Sequence, residues 1–193
     1  MKIIIPFLAF SLVLFSCSDP GKNEEMSAVK DTAEAPKFFP VTSYLKGEIF
    51  NLKKDGINPL KYTTINDKTD SAWLKVEEMD AAFSEFLTPE IDSGRLVTLF
   101  TEKSFLDQSI GAVTLTYEPL GVLPDSMQLK RWDVYINPNT NMVQRIYMVK
   151  ELNKERSLQL TWVSKHWCKI TTIVTDAKGE SKIEKEEKIS WDF

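Results

Sequence analysis

The sequence predicts an α+β fold in which N-terminal helices pack on a curved antiparallel sheet that ends in a five-strand meander. Apolar residues recur at helical spacing in two segments of the first half of the chain, 41–54 and 71–87. Beyond Lys130, apolar and polar residues alternate in five short segments that turn-forming residues separate. Such a meander has one apolar face, which the preceding helices are available to cover.

The first helix is predicted over residues 41–54, with Pro40 at its start and Asp55-Gly56 at its end. Its apolar residues share one face: Val41, Leu45, Ile49 and Leu52. A second helix is predicted within residues 71–87, with one apolar stripe at Met79, Phe83, Phe86 and Leu87. A strand over residues 71–76 is the alternative, and the sequence leaves both open.

The early strands are less regular than the meander. Residues 59–67 favour a strand that ends in the turn Asn66-Asp67. Residues 96–105 are ambiguous, whereas residues 111–119 are rich in Thr, Val and Tyr and predict a strand.

The five strands of the meander are predicted at residues 130–136, 142–150, 158–162, 168–174 and 183–191. Alternation points three tryptophans into the core, Trp132, Trp162 and Trp191, and puts Ile183 on the same face of the last strand as Ile189. Helices followed by a curved antiparallel sheet resemble cystatin-like or NTF2-like cones at the level of fold. That resemblance implies no particular activity.

The N-terminus has the pattern of an export signal. The apolar run at residues 3–15 is shorter than the roughly 20 residues that a membrane span needs, and it suits a signal peptide. The run ends in Leu14-Phe15-Ser16-Cys17, which resembles the lipobox of bacterial lipoproteins of the Bacteroidota type, although Phe15 occupies a slot that usually holds a small residue. The resemblance implies removal of residues 1–16 and diacylation of Cys17. A plain cleaved signal or an uncleaved anchor is the alternative.

Residues 17–37 contain few apolar side chains, so we expect a lipidated, disordered tether between the membrane and a single domain at residues 38–193. The tether begins with acidic residues, Asp19, Glu24 and Glu25. They loosely resemble the export tags of surface lipoproteins, with a solvated linker as the alternative. The expected location is the outer membrane, on its periplasmic or its cell-surface face. Two stretches of the domain, FFPVTSYLKGEI (residues 38–49) and VYINPNTNMVQRIYMV (residues 134–149), also resemble small Bacteroidota lipoproteins without an established activity.

Composition and charge exclude some classes of function. The net charge is −4 and no basic cluster is visible, which argues against nucleic-acid binding. His166 is the only histidine, and Cys168 lies two residues away. Stable zinc sites normally need three or four ligands, so we predict no metal site and no cofactor. His166 follows a tight turn and is expected to be exposed, and Cys168 to be buried in its strand.

No catalytic residues are predicted. The chain contains no Gly-rich phosphate loop and no CxxC or HExxH motif. Carboxylates are plentiful in the last strand, but Glu184 and Glu186 are expected on its solvated face. A glycosidase would need two carboxylates facing each other across a cleft, which the sequence alone does not establish.

The candidate binding surface is aromatic. Trp167 alternates with Cys168, so it points outward if Cys168 is buried. Together with Tyr135 and Tyr147, it would offer a stacking surface to a glycan or to a partner protein of the envelope. The sequence therefore predicts a lipid-anchored, non-catalytic binding or assembly accessory module. A hydrolase-type enzyme would instead need a pocket with titratable groups, and a structural subunit a large apolar patch.

Overall fold

The structure is a computed structural model that describes residues 38–91, 94 and 96–192. The predicted signal peptide (1–16), the lipidation site Cys17 and the tether (17–37) lie outside the described residues. The described residues form an α+β fold, with two α-helices and one open antiparallel sheet. None of the helices in this part of the chain has the length and apolar character needed to cross a membrane.

Helix α1 spans Val41–Lys54, and helix α2 spans Met79–Leu87 directly after a 3-10 turn at Val76–Glu78. The nine strands are β1 (Leu60–Ile65), β2 (Lys68–Trp73), β3 (Phe100–Asp107), β4 (Ala112–Pro119), β5 (Leu129–Ile136), β6 (Val143–Asn153), β7 (Arg156–Val163), β8 (Trp167–Thr175) and β9 (Ser181–Ser190). All five predicted strands of the C-terminal third are therefore confirmed.

The sheet has the order β2-β1-β9-β8-β7-β6-β5-β4-β3, and every neighbouring pair is antiparallel. Strands β3 to β9 form one continuous meander, so the predicted five strands are part of a run of seven. The ambiguous stretch 96–105 contributes the first of these strands, β3. The hairpin β1–β2 joins the other side of the sheet, where β1 pairs with β9.

Helix α1 matches its predicted limits. The four residues of its predicted apolar face are buried, and the helix ends beside Gly56, which has a φ of +66°. Glycine adopts this left-handed conformation without the steric cost that a Cβ brings. Lys53 and Lys54 lie in the last turn, where cations interact favourably with the helix dipole.

The prediction of a helix within residues 71–87 is confirmed by α2. The alternative of a strand over residues 71–76 is correct for residues 71–73, which belong to strand β2. Asn66 and Asp67 both have positive φ, the geometry of a type I′ hairpin turn, and this turn pairs β2 with β1. The helix itself is confined to α2. It follows the hairpin, so the expectation that the helices precede the sheet is wrong for α2.

The sheet has two distinct faces. We call the face that carries Trp132, Trp162 and Cys168 the inner face, and the opposite one the outer face. The buried residues of both helices join the core on the inner face, where Phe83 and Phe86 of α2 meet the Trp162 ring edge-on at centroid distances of 5.3 and 5.4 Å. The inward direction of Trp132, Trp162 and Trp191 is confirmed by their burial.

The prediction for Ile183 is wrong. Its side chain is 62% exposed, whereas Ile189 on the same strand is buried. The pairing of β8 with β9 shifts register between Thr172 and Ile173, where β9 contains one extra residue. Such a bulge interrupts the alternation, so Ile183 and Ile189, which lie on its two sides, point to opposite faces of the sheet.

A buried lysine connects the sheet to helix α2. The Lys150 side chain on β6 is 1% exposed on the inner face. Its ammonium donates hydrogen bonds to the Glu85 carbonyl oxygen and, at 2.8 Å, to the Glu85 carboxylate. The carbonyl lies in the last turn of α2, where backbone acceptors lack intrahelical partners. Lys150 therefore caps the C-terminal end of α2 from the sheet.

Candidate functional site

A row of side chains crosses the outer face from β5 to β8. The strand registers place Tyr135 opposite Arg145, Arg145 opposite Val163, and Val163 opposite Trp167. Residues directly opposite each other on neighbouring strands share one face of the sheet, and the strands lie about 4.8 Å apart. Tyr135 and Trp167 therefore mark the two ends of a row about 14 Å long.

The same register continues to both edges of the sheet. The continuation runs through Thr114 to Phe105 on β3, and through Ser190 and Leu60 to Trp73 on β2. Phe105 and Trp73 are 50% and 62% exposed. We call this line of residues, which carries an aromatic side chain on four of the nine strands, the aromatic row. Helices α1 and α2 pack on the inner face, so among the described residues the aromatic row lies on the face opposite both helices.

Tyr147 lies in the adjacent row of the outer face. It stands opposite Asp133 on β5 and Thr161 on β7, and Thr161 in turn stands opposite Lys169. Tyr147 and Tyr135 line one cleft of about 490 Å³, whose lining residues are Arg131, Asp133, Tyr135, Arg145, Tyr147, Val149 and Thr161. The structure thus brings the two predicted tyrosines together, whereas Trp167 lies outside this cleft on the same face.

The floor of the cleft holds a buried carboxylate. Asp133 is 1% exposed and accepts hydrogen bonds from Nε and Nη2 of Arg131, each at 3.2 Å to one carboxylate oxygen. This two-pronged pairing raises the pKa of Arg131 above its ordinary value. Burial, followed by the Asp133 charge, raises the pKa of Tyr147. At neutral pH, Arg131 is therefore charged and Tyr147 is neutral. The Arg131–Asp133 pair is a polar group that two hydrogen bonds hold in place beside two aromatic rings.

Two cations lie over rings of the aromatic row. The Arg145 guanidinium carbon is 4.1 Å from the centroid of the Tyr135 ring. The Lys188 ammonium is 5.2 Å from the centroid of the Trp167 ring. Both distances are within the range of cation–π attraction. In the described ranges, neither cation forms an ion pair with a carboxylate.

His166 belongs to a second cleft, at the turn between β7 and β8. This cleft of about 580 Å³ also contains Tyr44 and Ser164. His166 is exposed, as predicted, and its Nδ1 lies 3.3 Å from Oδ2 of Asp192. Hydrogen bonding from Ser190, and then the contact with His166, lower the pKa of Asp192. The Ser164 hydroxyl bonds to the Tyr44 hydroxyl at 2.7 Å, so it is directed at Tyr44 and not at His166.

Cys168 does not contribute to that cleft. It is buried on the inner face, as predicted, and burial raises the pKa of its thiol well above the ordinary value. A neutral, buried thiol is neither a nucleophile nor a metal ligand. Within the part of the chain that the structure describes, no three His, Cys, Asp or Glu side chains are grouped to hold a metal ion.

The carboxylates of β9 are divided between two environments. Glu184 pairs with Arg156 at 2.8 Å and Glu186 with Lys169 at 3.1 Å, both at partly exposed positions. Glu187 has the more enclosed side chain, and it contacts Lys61 at 2.7 Å and Lys185 at 2.9 Å. Sequence reasoning missed this triad. Its members come from two strands that are adjacent only because β1 pairs with β9.

Sequence reasoning also missed Arg131, Asp133 and Arg145. The only available signal was their alternation with inward residues on β5 and β6, which places them on the same face as Tyr135 and Tyr147. No protein-family model matches the chain, and neither a curated protein nor a solved structure shows significant similarity to it. The chemistry of the outer face is therefore the basis for assigning a function.

Proposed function

We propose that this protein is a lipid-anchored lipoprotein of the outer membrane that acts as a non-catalytic binding or assembly accessory module. The anchor rests on the sequence alone, since Leu14-Phe15-Ser16-Cys17 precedes the described residues. Two acyl chains would hold the protein at the membrane stably, whereas one would bind it only marginally. A cystatin-like or NTF2-like cone remains part of the proposal for the fold.

The observation that carries the proposal is the outer face. Both helices cover the inner face, and the outer face presents the aromatic row beside a cleft with a fixed Arg131–Asp133 pair. Aromatic rings on a rigid sheet provide contact area at a small cost in conformational entropy, and an oriented polar pair adds specificity. These are properties of a binding surface, and a catalytic step is not needed to explain them.

Binding of envelope glycans to the full-length protein tests the proposal. We expect Trp167→Ala and Tyr147→Ala each to weaken binding about tenfold or more, because each truncation removes a stacking surface. Phe50→Ala is the matched control, since Phe50 is exposed on α1. A calorimetric titration in which the outer-face variants bind as tightly as the control would contradict the proposal, provided that circular dichroism shows all three to be folded.

Metabolic labelling with palmitate tests the anchor separately. Wild-type protein should incorporate the label, and Cys17→Ala should not, because the acylated sulfur is gone. Label of equal intensity in the two proteins, or in neither, would refute lipidation at Cys17.

A hydrolase is the second candidate function, and the contact between His166 and Asp192 favours it. An aspartate at Nδ1 would orient the ring and leave Nε2 as a general base. The hydroxyl of Ser164 is bonded to Tyr44, however, and no hydrogen bond between a nucleophile and His166 is found among residues 38–91, 94 and 96–192. If the protein hydrolysed a substrate, and if His166→Ala lost that hydrolysis while Trp167→Ala retained it, a hydrolase would be the better assignment than a binding module.

A further inference from the structure

Three rows of the outer face carry more positive than negative charge, in a chain that is acidic overall. The three rows that contain Tyr135, Asp133 and Arg131 carry five cations and three carboxylates, although the whole chain has a net charge of −4. The cations are Lys103, Arg131, Arg145, Lys169 and Lys188, and the carboxylates are Glu118, Asp133 and Glu186. This local excess of positive charge favours an anionic ligand.

The pairing within these rows shows which cations remain available. Lys169 pairs with Glu186, while Arg131 pairs with Asp133 and, together with Lys103, lies near Glu118. Arg145 and Lys188 are the two cations of these rows without a carboxylate partner among the described residues. Both hold their charges over rings of the aromatic row, at either end of the segment from Tyr135 to Trp167.

The position of these residues within the sheet argues against an extended peptide as the ligand. Strands β5 to β8 are central, so their backbone hydrogen-bonding groups are used by neighbouring strands. A peptide can add to a sheet only at an edge, and the edges here are β2 and β3. The ligand must therefore contact side chains, and it must do so along a row that crosses four strands.

An acidic glycan fits this surface. The C–H face of a sugar ring is apolar and stacks on an aromatic ring, whereas its hydroxyls hydrogen-bond to polar pairs such as Arg131 and Asp133. A carboxylate on the sugar matches an unpaired guanidinium, whose planar donors bind carboxylates in two-pronged fashion. The row of about 14 Å between Tyr135 and Trp167 is long enough for several linked rings rather than one.

We propose that the outer face binds an extended, carboxylate-bearing glycan that lies across β5 to β8, with Arg145 as the principal contact to its carboxylates. This inference rests on the proposed binding function and specifies its ligand. Lys188 would add a second, weaker contact beside Trp167, because an ammonium binds as a point charge without the fork of a guanidinium.

The test compares two forms of one oligosaccharide. Full-length protein in detergent is titrated by calorimetry with oligogalacturonate and with the same oligosaccharide after chemical reduction of its carboxylates. We expect the acidic form to bind about tenfold more tightly or better, because one charge-assisted hydrogen bond contributes at least that factor. The difference should shrink as salt is raised, because exposed charges are screened.

Two variants of Arg145 test its charge and its guanidinium geometry, and one variant elsewhere is the control. Arg145→Gln should lose about tenfold in affinity for the acidic oligosaccharide and little for the reduced one, and Arg145→Lys should keep part of the preference. Lys178→Gln, in the turn between β8 and β9, removes a cation far from this row and should change neither affinity.

Equal affinity for the two oligosaccharides would overturn the acidic specificity, yet a loss of binding in Trp167→Ala would still support the binding function. Failure to bind either oligosaccharide would overturn the present inference, and binding of polyglutamate in its place would point to an acidic protein partner. If Trp167→Ala bound every tested ligand as tightly as the wild-type protein does, the proposed function would be refuted as well.

Discussion

Replacing Lys150 by methionine removes a buried ammonium and keeps an unbranched side chain of similar length. The ammonium donates to the Glu85 carbonyl, to the Glu85 carboxylate and, at 3.4 Å, towards the Thr88 hydroxyl. In Lys150→Met these acceptors lose their donor. The Glu85 carboxylate is 43% exposed and can be hydrated. The Glu85 backbone carbonyl at the end of α2 is therefore the acceptor that stays without a hydrogen-bond donor.

The expected decrease in the free energy of unfolding comes mainly from this unpaired carbonyl. A buried acceptor left without a partner costs about 1–3 kcal/mol. Loss of a cation from a helix C-terminus costs a further 0.3–1 kcal/mol, roughly. Removal of the ammonium also ends its own desolvation cost, so we expect a net loss of about 1–3 kcal/mol. Lys150→Ala removes about three more methylenes, at about 0.8 kcal/mol each, and should lose about 2 kcal/mol beyond Lys150→Met.

Urea denaturation of the full-length protein measures these differences. With an m-value of about 2 kcal/mol per molar urea, Lys150→Met should lower the midpoint by about 0.5–1.5 M. Lys130→Met is the control, because Lys130 on β5 is partly exposed and lies 3.5 Å from the exposed Glu151 carboxylate, so this change should cost less than about 0.5 kcal/mol. A Lys150→Met protein as stable as wild type, or more stable, would refute the capping role, since desolvation would then outweigh the hydrogen bonds.

The Cys168 thiol should resist a maleimide reagent in the native protein and react once urea unfolds the chain. The reason is that only the thiolate is reactive, and burial raises the pKa of the thiol. Fast labelling of the native protein, detected by mass spectrometry, would contradict the burial of Cys168. Burial alone would raise the pKa of Glu187, but hydrogen bonds from Lys61 and Lys185 outweigh burial and lower it. Its stabilising contribution should therefore be complete above the unfolded pKa of about 4.3 and be lost as pH falls through the lower folded value. Glu187→Gln should flatten the acid limb of a plot of Tm against pH, and an unchanged limb would count against the triad. Tyr117→Phe removes the hydroxyl that accepts a hydrogen bond from the Phe39 amide. It should lower the free energy of unfolding, measured by urea denaturation, by about 1 kcal/mol. An unchanged urea midpoint would show that this hydrogen bond contributes nothing to stability.

The elements with strong periodicity were predictable from the sequence. Alternation between dense turn signals identified the five strands of the C-terminal third, and helical spacing identified α1 with its limits. Both signals come from burial of one face, which repeats along the chain and can be recognised locally. The turn Asn66-Asp67 was recognised, but the strand that follows it is exposed throughout, so no apolar pattern indicated β2.

Features that depend on pairing between distant strands were not predictable. The exposure of Ile183 follows from one extra residue in β9, and alternation alone cannot reveal a bulge. The burial of Lys150 follows from the position of α2 above β6. Because a charged residue in a strand is ordinarily assigned to the solvated face, the burial of Lys150 could not be recognised from its residue type.

The candidate site was predictable in part. Alternation against buried Cys168 placed Trp167 on the outer face, and the same rule applies to Tyr135 and Tyr147. The polar members of the cleft were overlooked because exposed Arg and Asp are common on any sheet. Only the register between β5 and β6 brings Arg131, Asp133 and Tyr147 to one place.

Photo-crosslinking in intact envelopes tests most directly whether the outer face is the binding surface. A benzophenone amino acid replaces Val163, which lies between Arg145 and Trp167 in the aromatic row, and in a matched protein it replaces Phe50 on α1. We expect the probe at position 163 to capture a carbohydrate, and the probe at position 50 to capture none. Carbohydrate captured equally at the two positions, or only at position 50, would contradict the account.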